Sequence, residues 1–150
     1  MEPVTKIKSR RLRQPLSRSE IMSRIRSAET SPERAVRSAL YMAGIRYRKN
    51  ARDLPGNPDI VNRSKRWAVF VHGCFWHAHR DCPLASSPKT NKAYWIPKLA
   101  RNVARDAEAR RRLSETGYVT FVIWECETRD AARLRKRISQ IRGRIANLCA

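Results

Sequence analysis

Four residues of this chain are metal donors at close spacing. Cys74-x4-His79-x2-Cys82 places two thiols and an imidazole within nine residues, and Cys126 comes directly after a short apolar run, Val119–Trp124. If the strands expected to end at Val71 and Trp124 lie side by side, Cys126 reaches the same loop. Three thiolates and one imidazole make a closed tetrahedral Zn²⁺ site with no open coordination position, hence a structural one. Such a site ties a long loop to the sheet. The competing reading is a set of unrelated buried cysteines, and the local spacing favours the metal. Cys149 is left over as a free thiol.

A second group could do hydrolytic chemistry. Asp59, after Pro58, opens an expected strand, where a carboxylate can hold a divalent cation against a phosphate. Many nucleases follow such a strand with a second one ending in an acid and a lysine. Here the second strand reads Phe70-Val71-His72, without either. A cation could instead take the Val71 backbone carbonyl, leaving His72 and His77 for proton transfer near neutral pH. His77 also lies between Cys74 and His79, so a role supporting the zinc loop competes. Asp106 falls, by helical spacing, with Leu99, Val103, Arg110 and Leu113. A carboxylate on an apolar face needs a partner: a histidine of the 72–90 loop, or Arg110 one turn on. Phe75, Trp76 and Trp95 either fill a small core around zinc or wedge between base steps.

These residues need a scaffold. A helix is expected over Ser19–Ser27 and a better one over Ser31–Ala43, capped by Ser31, with Pro32 in its first turn and Gly44 at its end. Glu33 shares the inward face of Val36 and Leu40. Its carboxylate serves the helix dipole or points into a site. Tyr47–Lys49, Asp59–Val61, Trp67–Val71 and Val119–Trp124 read as strands, the last two as fully buried runs. Helices follow over Ile96–Glu115 and Asp130–Leu148, the latter with a stripe of Leu134, Ile138, Ile141, Ile145 and Leu148. The order predicts an α/β domain, a mixed sheet with helices on both faces.

The chain has 150 residues, enough for one domain. Residues 1–17 read as a basic arm that either closes on DNA or only solubilises, and 18–150 as a single domain. Net charge is +20, from 33 Lys and Arg against 13 Asp and Glu. That field attracts polyanions, nucleic acid first. No apolar run approaches the ~18–20 residues of a membrane span, and the N-terminus lacks the apolar stretch of a secretory signal. The expectation is a cytoplasmic protein with no membrane role and reduced cysteines.

Several strings together resemble the very-short-patch (Vsr) mismatch endonuclease family. They are Leu54-Pro55-Gly56-Asn57-Pro58-Asp59, Val71-His72-Gly73-Cys74-Phe75-Trp76-His77, Lys98-Leu99-Ala100-Arg101-Asn102-Val103 through Asp106, and Trp124-Glu125-Cys126. The likeness runs from about Ser19 to Arg129. It implies a restriction-endonuclease-like fold and nicking of double-stranded DNA 5′ to the T of a T:G mismatch, with mismatch-repair proteins as partners. It implies that Asp59 binds Mg²⁺ with the Val71 carbonyl, His77 activates water, His72 assists at the phosphate, and Glu33 and Asp106 complete the site. Cys74, His79, Cys82 and Cys126 would hold Zn²⁺. Phe75, Trp76 and Trp95 would open the duplex, with Met22 entering from the minor groove. Two departures stand out. Val71 replaces a threonine, and one extra residue separates His79 from Cys82, so that Arg80 or Asp81 must bulge. The alternatives are a restriction-type or general repair nuclease of the same fold, and a non-catalytic zinc DNA-binding protein.

Overall fold

A computed structural model describes residues 15–16, 20–21 and 29–148. Most of the basic arm, most of the Ser19–Ser27 helix, Met22 and Cys149 lie outside the described residues. The elements run α1 (Ser31–Met42), β1 (Arg48–Lys49), β2 (Ile60–Asn62), β3 (Trp67–His72), α2 (Lys92–Glu115), β4 (Val119–Trp124), a single turn α3 (Glu125–Thr128) and α4 (Ala131–Asn147).

The sheet order is β1-β2-β3-β4. β2 pairs antiparallel with β1 and β3, whereas β3 and β4 run parallel over their whole length, Trp67 opposite Val119 through His72 opposite Trp124. A parallel pair needs a long crossover, and the loop after His72 plus α2 supplies it. Both faces are covered. On one, Val36 and Leu40 of α1 and Leu134, Ile138, Ile141 and Ile145 of α4 pack on Ile60, Trp67, Val69, Phe121 and Ile123. On the other, Leu113 of α2 meets Val61, Ala68 and Phe70. The expected mixed α/β sheet flanked by helices is what the chain forms.

Local differences have physical causes. Thr30, not Ser31, caps α1: its side chain accepts the Glu33 N–H, and Ser31 is already helical. Leu148 drops out of the α4 stripe, because the helix ends at Asn147 and leaves it exposed. α2 begins a turn earlier than expected, at Lys92, with Pro97 inside it. The extra turn is held by tertiary packing, since Trp95 is buried against Phe75 and Trp76. Its face also differs from expectation. The buried residues of α2 are Trp95, Ala109 and Leu113, while Val103 and Arg110 are exposed. Asp106, three residues before Ala109 and seven before Leu113, lies on this inward face and is partly buried, as a carboxylate that needs a partner. At Gly56 the backbone turns through φ +73°, and a Cβ there would lie 2.5 Å from the Ala109 Cβ. Only glycine lets the loop before Asp59 approach α2 so closely.

Candidate active site and metal centre

The register of β3 and β4 ends both strands at one edge, and the chemistry collects there. His77 Nδ1 is hydrogen-bonded to Asp106 Oδ2 of α2, and His72 Nε2 lies 3.9 Å from Asp106 Oδ1. Asp106 thus takes histidines as partners, not Arg110. A carboxylate on Nδ1 fixes the tautomer with Nε2 free to accept a proton. The His72 and His77 rings are stacked, centroids 3.9 Å apart and planes within 4°. Burial, with the neighbouring His77 adding to it, pushes the His72 pKa down to about 4, so this ring stays neutral at pH 7. A cavity of about 600 Å³ reaches the pair from the open edge of β4, with Arg110, Arg137 and Arg144 on its walls.

Asp59 stands just before β2. Its Oδ2 accepts the backbone N–H of Val71 at 2.7 Å. Burial raises its pKa to about 6, the Val71 bond opposes the rise, and the charge of Glu33 adds to it. Glu33 is itself buried, but its carboxylate is engaged locally. Oε2 accepts the Glu29 N–H at 2.8 Å and Oε1 the Thr30 hydroxyl at 3.0 Å. It touches the start of α1, and its influence on Asp59 is electrostatic.

Two groups of side chains could hold a metal: Cys74, His79, Cys82 and Cys126, and His72, His77 and Asp106. In each, the donor atoms lie within 4.8 Å of one another. The first fits an ion well. Metal–sulfur bonds of about 2.3 Å and tetrahedral angles put neighbouring donors roughly 3.5–4 Å apart, and Cys126 Sγ lies 3.6 Å from His79 Nδ1. Burial pushes the Cys74 thiol up to about 12, and it raises Cys126 as well. At Cys82 burial is outweighed by hydrogen bonds, that of the Leu84 backbone foremost, which lower its pKa instead, so it is the two raised thiols that call for a cation before they ionise. Between His79 and Cys82 the backbone at Asp81 turns through φ +53°. The second group fits poorly. An imidazole lone pair lies in its ring plane, and two nearly parallel stacked rings cannot both aim at one ion.

The three aromatics named from sequence form one cluster. Phe75, Trp76 and Trp95 meet pairwise edge to face at 5.5–5.6 Å. Phe75 and Trp95 are each only 6% exposed, whereas Trp76 is half-buried. Tyr94, exposed, adds its ring to Trp95 at 5.1 Å.

Comparison with known proteins decides the lineage. Residues 12–84 match the family model described as DNA mismatch endonuclease Vsr. The chain is 44% identical over 127 residues to the type II nicking enzyme V.XorIIP of Xanthomonas oryzae pv. oryzae, covering 85% of this chain and 93% of that one. It is 40% identical to the type II nicking enzyme V.NmeAIP of Neisseria meningitidis, over 83% of this chain and 88% of the relative. It is 37% identical to the DNA mismatch endonuclease Vsr of Escherichia coli, over 79% and 75%. The chain belongs to the Vsr DNA mismatch endonuclease family. It is a DNA endonuclease, a hydrolase. No helix among its described residues is long and apolar enough to cross a membrane.

The sequence analysis missed one feature of this Vsr-family site. Tyr94, Lys98, Asn102 and Asp106 recur every fourth residue along α2, and the last three reach the 73–79 loop. Lys98 Nζ sits 5.1–5.6 Å from the ring centroids of Tyr94, Trp95 and Trp76. Asn102 Nδ2 donates to the Trp76 carbonyl at 3.2 Å. The polar i, i+4 run was the available signal. Counting Asp106 with Leu99 and Val103 concealed it.

Proposed function

We propose that this Vsr-family endonuclease is an Mg²⁺-dependent enzyme that nicks double-stranded DNA 5′ to the T of a T:G mismatch. The observation that carries the catalytic reading is the His77–Asp106 pair, set beside a half-buried Asp59 that is tethered to Val71. His77 Nε2 removes a proton from the attacking water, and Asp106 stabilises the imidazolium that forms. The water oxygen bonds to phosphorus as a bridging P–O bond of the phosphodiester breaks. His72, neutral at pH 7, assists at the phosphate as a hydrogen-bonding group. Asp59 and the Val71 carbonyl are the ligands for Mg²⁺. In an extended strand the N–H and C=O of one residue face the same edge, so the N–H that Asp59 accepts supports a Val71 carbonyl on the Asp59 side. Bound there, Mg²⁺ would neutralise charge on the scissile phosphate. Glu33 completes the site through its field on Asp59.

Cys74, His79, Cys82 and Cys126 hold a structural Zn²⁺ in this reading. Phe75, Trp76 and Trp95 open the duplex at the mismatch, with Met22 entering from the minor groove. The sheet with helices on both faces supports a restriction-endonuclease-like fold. The remaining elements are a basic arm over 1–17, a single domain over 18–150, a cytoplasmic location and mismatch-repair proteins as partners.

A second reading keeps strand nicking with a different target. Two of the similar proteins bear the name type II nicking enzyme, and burial of Phe75 and Trp95 favours packing over wedging. Single-turnover cleavage of duplexes carrying each mismatch and each matched pair, with and without Mg²⁺, separates the two. Faster nicking of the T strand at T:G, and only with Mg²⁺, is the expected result. Equal cleavage of T:G and C:G duplexes in varied flanks selects the second reading.

A further inference from the structure

Trp124 has no part in the chemistry above, yet it touches both centres. One face of its indole lies flat on His79, with centroids 4.0 Å apart and planes within 3°. His72 meets it edge to face, at 5.3 Å and 73°. His72 in turn stacks on His77, which holds Asp106. The rings therefore form one continuous contact series from the metal centre to the His77–Asp106 pair.

The backbone around Trp124 is tied from both sides. Strand register sets it opposite His72, and its N–H donates to Glu127 Oε2 at 2.8 Å. Cys126, two residues on, is a donor of the metal centre. His77 and His79 by contrast sit on an irregular loop whose backbone is held by turn bonds such as His77 N to the Gly73 carbonyl and His79 N to the Cys74 carbonyl. A loop of that kind does not by itself hold a ring to within a fraction of an ångström. An indole is rigid, has two side-chain torsions and presents flat faces. A branched aliphatic side chain could fill the space but could not register two imidazoles.

We propose that Trp124 is a positioning residue. It transmits the placement of the metal-held loop to His72 and His77, so that the structural metal centre sets the geometry of the base. The inference rests on the reading of His77 as that base.

The test compares Trp124→Leu and Trp124→Phe with wild type in the full chain. It measures zinc per chain, DNA affinity in Ca²⁺, the single-turnover nicking rate on the duplex wild type cleaves best, and NMR of the histidine ring Cε1–H groups. In Trp124→Leu, zinc and affinity are expected to persist while the His72 and His77 signals shift. Its rate should fall by about 10- to 100-fold, the scale of a base displaced by about 1 Å. Trp124→Phe, which keeps a flat ring, should recover most of that rate. Wild-type speed in zinc-replete Trp124→Leu overturns the proposal, as do equal losses in both variants. If Trp124→Leu fails to fold or loses zinc, wild type exchanged from zinc to cadmium decides. Movement of the His72 and His77 signals upholds the coupling, and their indifference overturns it. A wild type that nicks no duplex would refute the proposed function, and the ring spectra would still test the coupling.

Discussion

The Asp59 carboxylate accepts the backbone N–H of Val71 at 2.7 Å, joining the residue just before β2 to the penultimate residue of β3. The bond aims the carboxylate along the sheet edge where His72 and His77 lie. It also leaves a charged group in a place that raises its pKa to about 6 from an ordinary 3.8, burial being the largest cause.

That shift has a sign. The folded chain holds the Asp59 proton more tightly than the unfolded chain, so stability declines as pH rises from about 4 to about 6 and stays lower above. Asp59→Asn removes the buried charge and keeps an acceptor for Val71. Without divalent metal it should be more stable than wild type at pH 7.5, by up to about 3 kcal/mol in unfolding free energy, with the gap closing near pH 4. Its Mg²⁺-dependent nicking should vanish, while DNA affinity, set mainly by Lys and Arg contacts with phosphates, persists. Equal melting at both pH values, or retained nicking, contradicts the assignment.

The cysteine–histidine centre should carry one Zn²⁺ per chain. Cys126→Ser should lose it and melt at a markedly lower temperature, because the ion ties the 73–82 loop to the end of β4. Metal analysis of freshly purified protein and a thermal melt check this. Wild type free of zinc would end the assignment.

His77 and Asp106 should behave as one unit. His77→Ala should slow single-turnover nicking by about 10²- to 10⁴-fold with little change in DNA affinity. Asp106→Asn should also slow it, and the double variant should be no slower than His77→Ala, since a positioned base and its orienting group are not additive. Losses that multiply would mean that the two residues act separately.

Trp76 and Trp95 should separate in their effects, because their burial differs. Trp95→Ala empties a buried site and should cost roughly 3–5 kcal/mol of stability. Trp76→Ala should cost less stability, and should shrink the ratio of T:G to matched cleavage by about tenfold or more, the worth of one base-stacking contact. Single-turnover rates on both duplexes, at a temperature where the variants are folded, give the answer. An unchanged ratio in Trp76→Ala would make the cluster a packing device.

The sequence alone determined whatever depends on neighbours within a turn or two. The buried runs Trp67–Val71 and Val119–Trp124, the stripe Leu134, Ile138, Ile141 and Ile145, and the donor types at Cys74, His79 and Cys82 all repeat with the periods of a strand, a helix or a chelating loop. Tertiary structure decided the rest. Asp106 could turn to Arg110 or to a histidine, and only the crossover that lays α2 beside the end of β3 brings it to His77, 29 residues away. α2 gained a turn because Trp95 packs on Phe75 and Trp76, whereas Thr30 displaced Ser31 as the cap through a local bond with Glu33. His72, His77 and Asp106 have the composition of a metal site, yet the stacking of the two rings, which only the fold sets, fits one ion poorly. Trp124 read only as the end of an apolar strand, until parallel pairing of β3 with β4 set it between His79 and His72. Residues this far apart in the chain meet through sheet order and register, which no local pattern encodes.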